Sequence, residues 1–509
     1  MRVSDKIVEI LEDEGISTVF GIPGEQILPL YDSLSKSNIN HILTKHEQSA
    51  AHASDGFTRA SGKIGVCITT ASPGALNTTM ALATAFKDSV PMLILTGDNE
   101  LQYKNSDHFQ STPQVEIFNH ITSKSFNPLN ASEAIFVLKA AIHELKNNPT
   151  GPVHINLAKD ILLEEDFVDI SLCYFFGADL SRLDKAQDLI DKSSKPLLIL
   201  GAGAISQKDT IREIVEKNQI PVTTTFHGKG IVSEFDDLNL GLCGIRATEQ
   251  AKFAFENADC IIGLGIKASE RTLTYIPDNF IHVNINKDVL IGDCQIYAKV
   301  EDFLEEINFK KTDWIGDILQ YNDSYKLAGL DIDLKPQAAI KRILNRFEDN
   351  VVVSDAGSHT TWTTLLRKSK NPRQFLFSGA MAPMGYALPA AIGAAFAVDD
   401  KIIVINGDGD FQMNMQELAC LKENNLDIIV FILNNSEYAI IRQWEESFYD
   451  MDPYQVKLNN PDFLKLASSY GIDAIRVDNI GDLELVLDSN LKGPLVVEVI
   501  VQSEDIPLP

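Results

Sequence analysis

Lys401-Ile402-Ile403-Val404-Ile405-Asn406-Gly407-Asp408-Gly409-Asp410 is the stretch on which the fold turns. Its first six residues have the apolar, β-branched composition of a strand buried in a parallel sheet. A Gly-Asp-Gly turn follows at once. A helix is expected from near Phe411, over roughly Gln412–Glu423. A second apolar strand, Asp427–Leu433, then returns to the same edge and delivers Asn434-Asn435. In open α/β sheets that carboxyl edge is where ligands sit.

Asp408 and Asn435 are 27 positions apart, yet one strand–helix–strand unit brings them to one edge. The glycines let the backbone approach a phosphate, and the helix points amide groups at it. Asp408 offers a hard carboxylate for Mg²⁺. That ion wants octahedral oxygen ligation and borrows part of it from phosphate and water. One carboxylate, one amide oxygen and one backbone carbonyl leave room for both. The expected metal set is Asp408, Asn435 and Glu437, and the same residues with Gly407, Gly409 and Asp410 are expected at the diphosphate.

Outward from this unit the chain is α/β throughout, with β-branched runs alternating with amphipathic helices. Its 509 residues suggest about three domains. Strand candidates divide into three blocks of doubly wound parallel sheet. The first block, 1–171, holds Ser17–Phe20, Ile64–Thr69, Met92–Thr96 and Val153–Asn156. The second, 184–310, holds Pro196–Leu200, Cys260–Gly265 and Phe280–Asn286. The third, 330–509, opens near Leu334-Lys335-Pro336 and holds Val351–Ser354 and Leu495–Val501 beside the opening pair. The polar stretches Asp184–Lys195 and Lys310–Asp333 are expected to connect blocks.

The six cysteines, Cys67, Cys173, Cys243, Cys260, Cys294 and Cys420, form no CxxC pair and are expected as buried free thiols. No apolar run approaches the ~20 residues that span a bilayer. Met1-Arg2-Val3-Ser4-Asp5-Lys6 carries no apolar signal core, so a cytoplasmic protein is expected. A net charge of −27 argues against nucleic acid and anionic membranes as partners. An anionic substrate would then need a metal ion or a few fixed cations to create local positive charge.

Gly-Asp-Gly followed at this interval by Asn-Asn resembles the cofactor signature of the thiamine diphosphate enzymes. That family drives the cofactor's aminopyrimidine into its reactive tautomer with a carboxylate held in a dry site after a first-domain strand. His41-Ile42-Leu43-Thr44-Lys45-His46-Glu47-Gln48 places Glu47 there, ahead of the small-residue helix Ala50–Ala60. Two glycine turns, Phe20-Gly21-Ile22-Pro23-Gly24 and Ala71-Ser72-Pro73-Gly74-Ala75-Leu76-Asn77, would line the pyrimidine pocket, with Pro23, Gly24 and Asn77 as its residues. The resemblance also implies a site between two chains, hence a homodimer or a tetramer.

Within that family the chain is most similar to acetolactate (acetohydroxyacid) synthase catalytic subunits. The likeness is carried by Phe20–Gly24 with Ile27–Asp32, Lys45–Gln48, His108-Phe109-Gln110, Gly357–Trp362, Met384–Ala394, Asn414–Leu418 and Gln443-Trp444. It implies Met384 as the wedge under a bent cofactor and the Ala382 carbonyl as acceptor of the cofactor's amino group. Gly357, Ser358 and His359 would hold the diphosphate. Phe109 and Gln110 would line the donor pocket, and Trp444 would face the second substrate. Lys159 and Arg271 match cationic positions, Arg271 as a carboxylate clamp.

The implied reaction is decarboxylation of pyruvate and transfer of the two-carbon unit to a second 2-oxo acid. Release of an aldehyde by a simple 2-oxo acid decarboxylase is the alternative that the cofactor residues leave open. FAD on Gly201-Ala202-Gly203-Ala204 and a small regulatory subunit are likewise left open.

Overall fold

The computed structural model describes residues 1–104, 106–169, 177–322, 325, 327–333 and 335–508. Cys173, the end of the first block at Ser171 and the start of the third at Leu334 lie outside the described residues. The other five cysteines are buried free thiols.

Among the described residues eighteen strands form three six-stranded sheets. In space the first runs Asn40–Leu43, Thr18–Gly21, Gly65–Thr69, Met92–Asp98, Val153–Ala158, Lys124–Phe126. The second runs Cys294–Tyr297, Phe280–Asn284, Cys260–Leu264, Pro196–Leu200, Val222–Thr224, Asn239–Leu242. The third runs Phe375–Leu376, Val351–Ser354, Ile402–Gly407, Ile428–Asn434, Leu495–Ile500, Asp473–Val477. The sheets are parallel throughout, as the alternation of strands and helices predicts.

Counting strands within each sheet, the first and third share the order 2-1-3-4-6-5. In both, the chain reverses its direction of travel across the sheet between the first and third strands. Such a switch point opens a crevice at the carboxyl ends of those two strands. In the third sheet the crevice falls between Val351–Ser354 and Ile402–Gly407, and in the first between Thr18–Gly21 and Gly65–Thr69. The second sheet instead has the order 3-2-1-4-5-6, which is that of dinucleotide-binding folds.

The chain separates into two compact units. One comprises residues 1–175, 351–360 and 376–503, and the other residues 176–350, 361–375 and 504–509. In the first unit the helix Glu47–Ser61 packs along the helix Ala387–Ala397. Both are rich in alanine and glycine, which lets the backbones touch. A Cβ on Gly56 would stand 2.1 Å from the Ala390 carbonyl oxygen, and one on Gly393 would stand 1.8 Å from that of Ala53. Ala50, Ala53, Phe57, Ala390, Ala391 and Ala394 share one buried core with strands of both sheets.

One expected element breaks up. In place of one helix over Gln412–Glu423, a short helix Asp408–Phe411 precedes the span, which itself holds a 3₁₀ turn at Met415–Glu417 and a helix Leu418–Glu423. The break lies at Asn414, whose φ of −136° leaves the helical region. Its side chain is spent on distant groups, donating to the Gly385 carbonyl at 2.6 Å and accepting from Ser49 Oγ at 3.1 Å. Asn bonds of this kind compete with the helical ladder.

Candidate active site

The third-sheet crevice is lined by two turns that each follow a strand. Asp355-Ala356-Gly357-Ser358-His359 leaves Val351–Ser354, and Gly407-Asp408-Gly409-Asp410 leaves Ile402–Gly407. They meet where His359 Nε2 lies 3.3 Å from Asp410 Oδ2. A Cβ on Gly407 would stand 2.8 Å from Asp410 Oδ1 and 3.2 Å from His359 Nδ1, so a larger residue there would push on both side chains. Asp355 is tied down by the amides of Ala356, Gly385 and Ala387 at 2.8, 2.8 and 2.6 Å. Asp355, Asp408 and Asp410 are all buried. Burial, with Asp410's charge added, pushes Asp355 up to about 8. Burial raises Asp408 and Asp410 as well. It lowers His359 to about 4, so the imidazole is neutral at pH 7.

Three desolvated carboxylates beside a neutral imidazole form a site that a cation would stabilise. Asp408 is oriented for one. Its Oδ2 accepts from Asn460 Nδ2 at 2.6 Å, and the same amide donates to Asn434 Oδ1 at 2.9 Å. Sheet register places Gly407 opposite Leu433, so Asp408 and the Asn434-Asn435 turn leave adjacent strands side by side. Asn435 Oδ1 accepts from the Glu437 amide at 3.1 Å, and Ser436 turns the chain with φ 54°. The donor set therefore fits a hard divalent ion that takes its other oxygens from a phosphate. The Glu437 carboxylate is otherwise engaged: Lys457 Nζ lies 3.0 Å away, Arg442 Nε 3.4 Å, and Ser503 donates at 2.5 Å.

At the first-sheet crevice, Glu47 is the first residue of the helix Glu47–Ser61, capped by His46 Nδ1 accepting from the Gln48 amide at 3.2 Å. Asn77 Nδ2 donates to Glu47 Oε2 at 2.9 Å, joining two of the expected residues. Gly24 faces the other loop so closely that a Cβ would stand 2.4 Å from Thr70 Cβ. Pro23 is exposed beside it. Glu25, next in the loop, pairs with Lys159 at 3.1 Å. The Gln110 carbonyl accepts from Ser72 Oγ at 2.5 Å, with Gln110 at φ 59°, and the Phe109 carbonyl accepts from Asn99 Nδ2 at 2.9 Å. The Phe109 ring itself is 73% exposed.

Ala382 (φ 49°) and Met384 lie on an exposed loop between Phe377 and Tyr386. Trp444 is on the exposed side of the helix Ala439–Tyr449, whereas its neighbour Gln443 is buried. Arg271 is exposed within the second unit, its carbonyl accepting from the Ile245 amide at 3.3 Å. The crevices thus gather Glu47 with Asn77, and His359 with Asp410 and Asp408. Of the expected substrate-side residues, Phe109 and Trp444 belong to the first unit and Arg271 to the second.

Sequence reading singled out neither Asn460 nor Glu417 for a role. Asn460 is 52 positions from Asp408 and carries no signal beyond an ordinary Asn-Asn-Pro turn. Glu417 is fully buried and accepts the Lys45 amide at 2.9 and 3.2 Å, immediately ahead of Glu47. In the second unit, Gly201 and Gly203 donate their amides to the Leu264 and Gly265 carbonyls at 3.0 and 3.1 Å. Those two amides do not fit a pyrophosphate cradle.

Three family profiles match the chain: thiamine pyrophosphate enzyme N-terminal TPP binding domain over residues 1–117, central domain over 183–307, and C-terminal TPP binding domain over 355–499. Among curated proteins, the probable acetolactate synthase large subunit of Methanococcus aeolicus is 33% identical, covering 96% of this chain and 89% of that protein. The probable large subunit of Methanocaldococcus jannaschii is 32% identical over 100% of this chain and 93% of its own length. The acetolactate synthase large subunit of Lactococcus lactis is 32% identical over 99% and 93%.

Proposed function

The chain belongs to the acetolactate synthase large subunits of the thiamine pyrophosphate enzymes, and on that premise we propose that it decarboxylates pyruvate and transfers the two-carbon unit to a second 2-oxo acid. The observation that carries this reading is Asp408: a desolvated carboxylate at a switch point, one amide away from the Asn434-Asn435 turn.

Thiamine diphosphate, when bound, supplies the carbon nucleophile and the electron sink for carboxylate loss. In this reading Asp408, Asn435 and the main-chain carbonyl of Glu437 hold Mg²⁺, since the Glu437 carboxylate is engaged by Lys457, Arg442 and Ser503. Gly357, Ser358, His359, Gly407, Gly409 and Asp410 surround the diphosphate. His359, kept neutral by burial, acts there as a hydrogen-bond donor rather than a charge. Pro23, Gly24 and Asn77 flank the pyrimidine. Asn77 holds Glu47 Oε2, which leaves Oε1 to take and return the proton at the pyrimidine ring nitrogen. The Ala382 carbonyl accepts from the amino group, and Met384 supplies the wedge.

Phe109, Gln110 and Lys159 serve the donor acid, while Trp444 packs against the acceptor's alkyl group and Arg271 clamps its carboxylate. A water-poor site prevents premature protonation of the transferred unit. The reading routes no step through FAD. It includes self-association, cytoplasmic residence and a small regulatory partner, the last because the relatives are named as large subunits.

The test is product analysis with pyruvate alone and with pyruvate plus 2-oxobutyrate. Acetoin after acidification, and its 2-oxobutyrate counterpart, are expected. Acetaldehyde as the sole product would make the protein a decarboxylase and sink the transfer step.

A further inference from the structure

We propose that Ser72 and Asn99 are positioning residues for the donor pocket, each holding one of the consecutive carbonyls of Phe109 and Gln110. The proposal rests on the donor-pocket role given above to Phe109 and Gln110 and on the role of Glu47. It concerns residues to which that reading assigns nothing. All of them lie within residues 1–175, in the same domain and the same chain as Glu47.

The turn is held by its main chain. Asn99 Nδ2 donates to the Phe109 carbonyl at 2.9 Å, and Ser72 Oγ donates to the Gln110 carbonyl at 2.5 Å. Among the described residues, these are the hydrogen bonds that reach Phe109 and Gln110 from outside the turn His108–Ser111. That turn is closed by the Ser111 amide on the His108 carbonyl at 2.9 Å. Ser72 Oγ also lies 2.7 Å from Thr112 Oγ1, which donates to it once the Ser72 hydrogen is spent on Gln110. Gln110 has φ 59°, a left-handed conformation that persists in a non-glycine residue only where its surroundings over-determine it. Packing of the Phe109 ring does not supply that constraint, because the ring is exposed.

Both donors are themselves fixed. Ser72 and Asn99 are buried. Asn99 follows the strand Met92–Asp98, and its amide donates to Asp98 Oδ1 at 2.8 Å. Asp98 Oδ2 accepts from Asn156 Nδ2 at 2.6 Å, and Asn156 Oδ1 accepts from Thr96 Oγ1 at 2.9 Å and Gln114 Nε2 at 3.3 Å. Asp160, beside Lys159, takes the Leu101 amide at 3.2 and 3.1 Å, which fixes the start of the same segment. Ser72 opens the helix Ser72–Asn77, whose last residue donates to Glu47 Oε2 at 2.9 Å. Its five steps span about 7.5 Å at the usual rise per residue. One short helix therefore carries both the partner of the proton-transferring carboxylate and the donor to Gln110. Phe109 is exposed and Gln110 half-buried, so water would satisfy their carbonyls if the turn were released. What the two donors add is a fixed place for the donor pocket relative to Glu47.

The test compares Ser72→Ala, Asn99→Ala, Gln110→Ala and the double variant Ser72→Ala/Gln110→Ala with the wild type, as full chains with thiamine diphosphate and Mg²⁺. Three quantities are read: kcat/KM for pyruvate, C2 proton exchange of bound cofactor without substrate, and amide hydrogen exchange of the 106–112 segment without cofactor. Ser72→Ala and Asn99→Ala are each expected to lower kcat/KM about tenfold, the scale on which a misplaced pocket costs rate. Each is expected to release the 106–112 amides and to keep C2 exchange near wild type, since Asn77 still holds Glu47. In the Gln110→Ala background, Ser72→Ala is expected to cost less than it does alone, because groups in one network are not additive. Wild-type kcat/KM in either single variant overturns the proposal, as does unchanged protection of the segment. C2 exchange falling in step with kcat/KM, or full additivity in the double variant, assigns the loss to general disruption and overturns it too. The underlying reading fails separately, through absence of cofactor binding by the wild type or wild-type kcat/KM in Gln110→Ala.

Discussion

Glu417 is fully buried against the amide of Lys45, two residues ahead of Glu47 and 372 positions away from Glu417 in sequence. Burial raises its carboxyl from 4.5 to about 7. Between those values the folded protein holds a proton that the unfolded chain has lost. Stability from this group is therefore full below pH 4.5 and falls as pH rises toward 7, by about 3 kcal/mol in all. Glu417→Gln is expected to flatten that part of the curve, which melting temperatures at pH 5 and pH 7.5 would reveal. At the metal site, Asp408→Asn is expected to raise the Mg²⁺ concentration needed for cofactor binding by about 10–100-fold, measured by fluorescence titration. Glu47→Gln should leave cofactor affinity near wild type and abolish C2 proton exchange. Unchanged exchange would remove Glu47 from the mechanism.

At the scale of elements, the helices Glu47–Ser61 and Ala387–Ala397 pack backbone against backbone. Gly56→Ala and Gly393→Ala each place a methyl within 2.1 Å of a carbonyl oxygen on the facing backbone. Each is expected to lower stability by about 1–3 kcal/mol or more, since overpacking here can be relieved only by parting the helices. Central strands such as Ile402–Gly407 and Ile428–Asn434 were legible because burial on both faces demands continuous Val and Ile. Edge strands were not: Lys124–Phe126, Cys294–Tyr297 and Asp473–Val477 are short and partly exposed, so their side chains carry no such demand. The continuous helix expected over Gln412–Glu423 failed for a related reason. Its break is imposed by groups on Gly385 and Ser49 that no local pattern announces.

For the whole molecule, the proposed reading puts the active site between the Glu47 domain of one chain and the Asp408 domain of another. Co-expressing Glu47→Gln with Asp408→Ala tests this. A mixed dimer then carries one site with both residues intact, and random pairing restores about a quarter of wild-type activity. Sites built within single chains would restore none. Among the described residues no helix is long and apolar enough to cross a membrane. With a net charge of −27, the proposed binding of anionic acids requires local positive charge at the site.

By itself the sequence determined the α/β class, the Gly-Asp-Gly and Asn-Asn turns at strand ends, and Glu47 at the head of a small-residue helix. These are legible because strand composition, glycine turns and short polar motifs are local, and each needs only its own neighbours. Tertiary structure alone decided which turns face each other. It set the switch points between particular strands, put Asn460 on Asp408 and Glu417 beneath Lys45, and brought Asn99 and Ser72 onto the carbonyls of Phe109 and Gln110. Those partners come from segments up to 372 positions apart, and which of them meet depends on strand order and helix packing, neither of which a local pattern encodes.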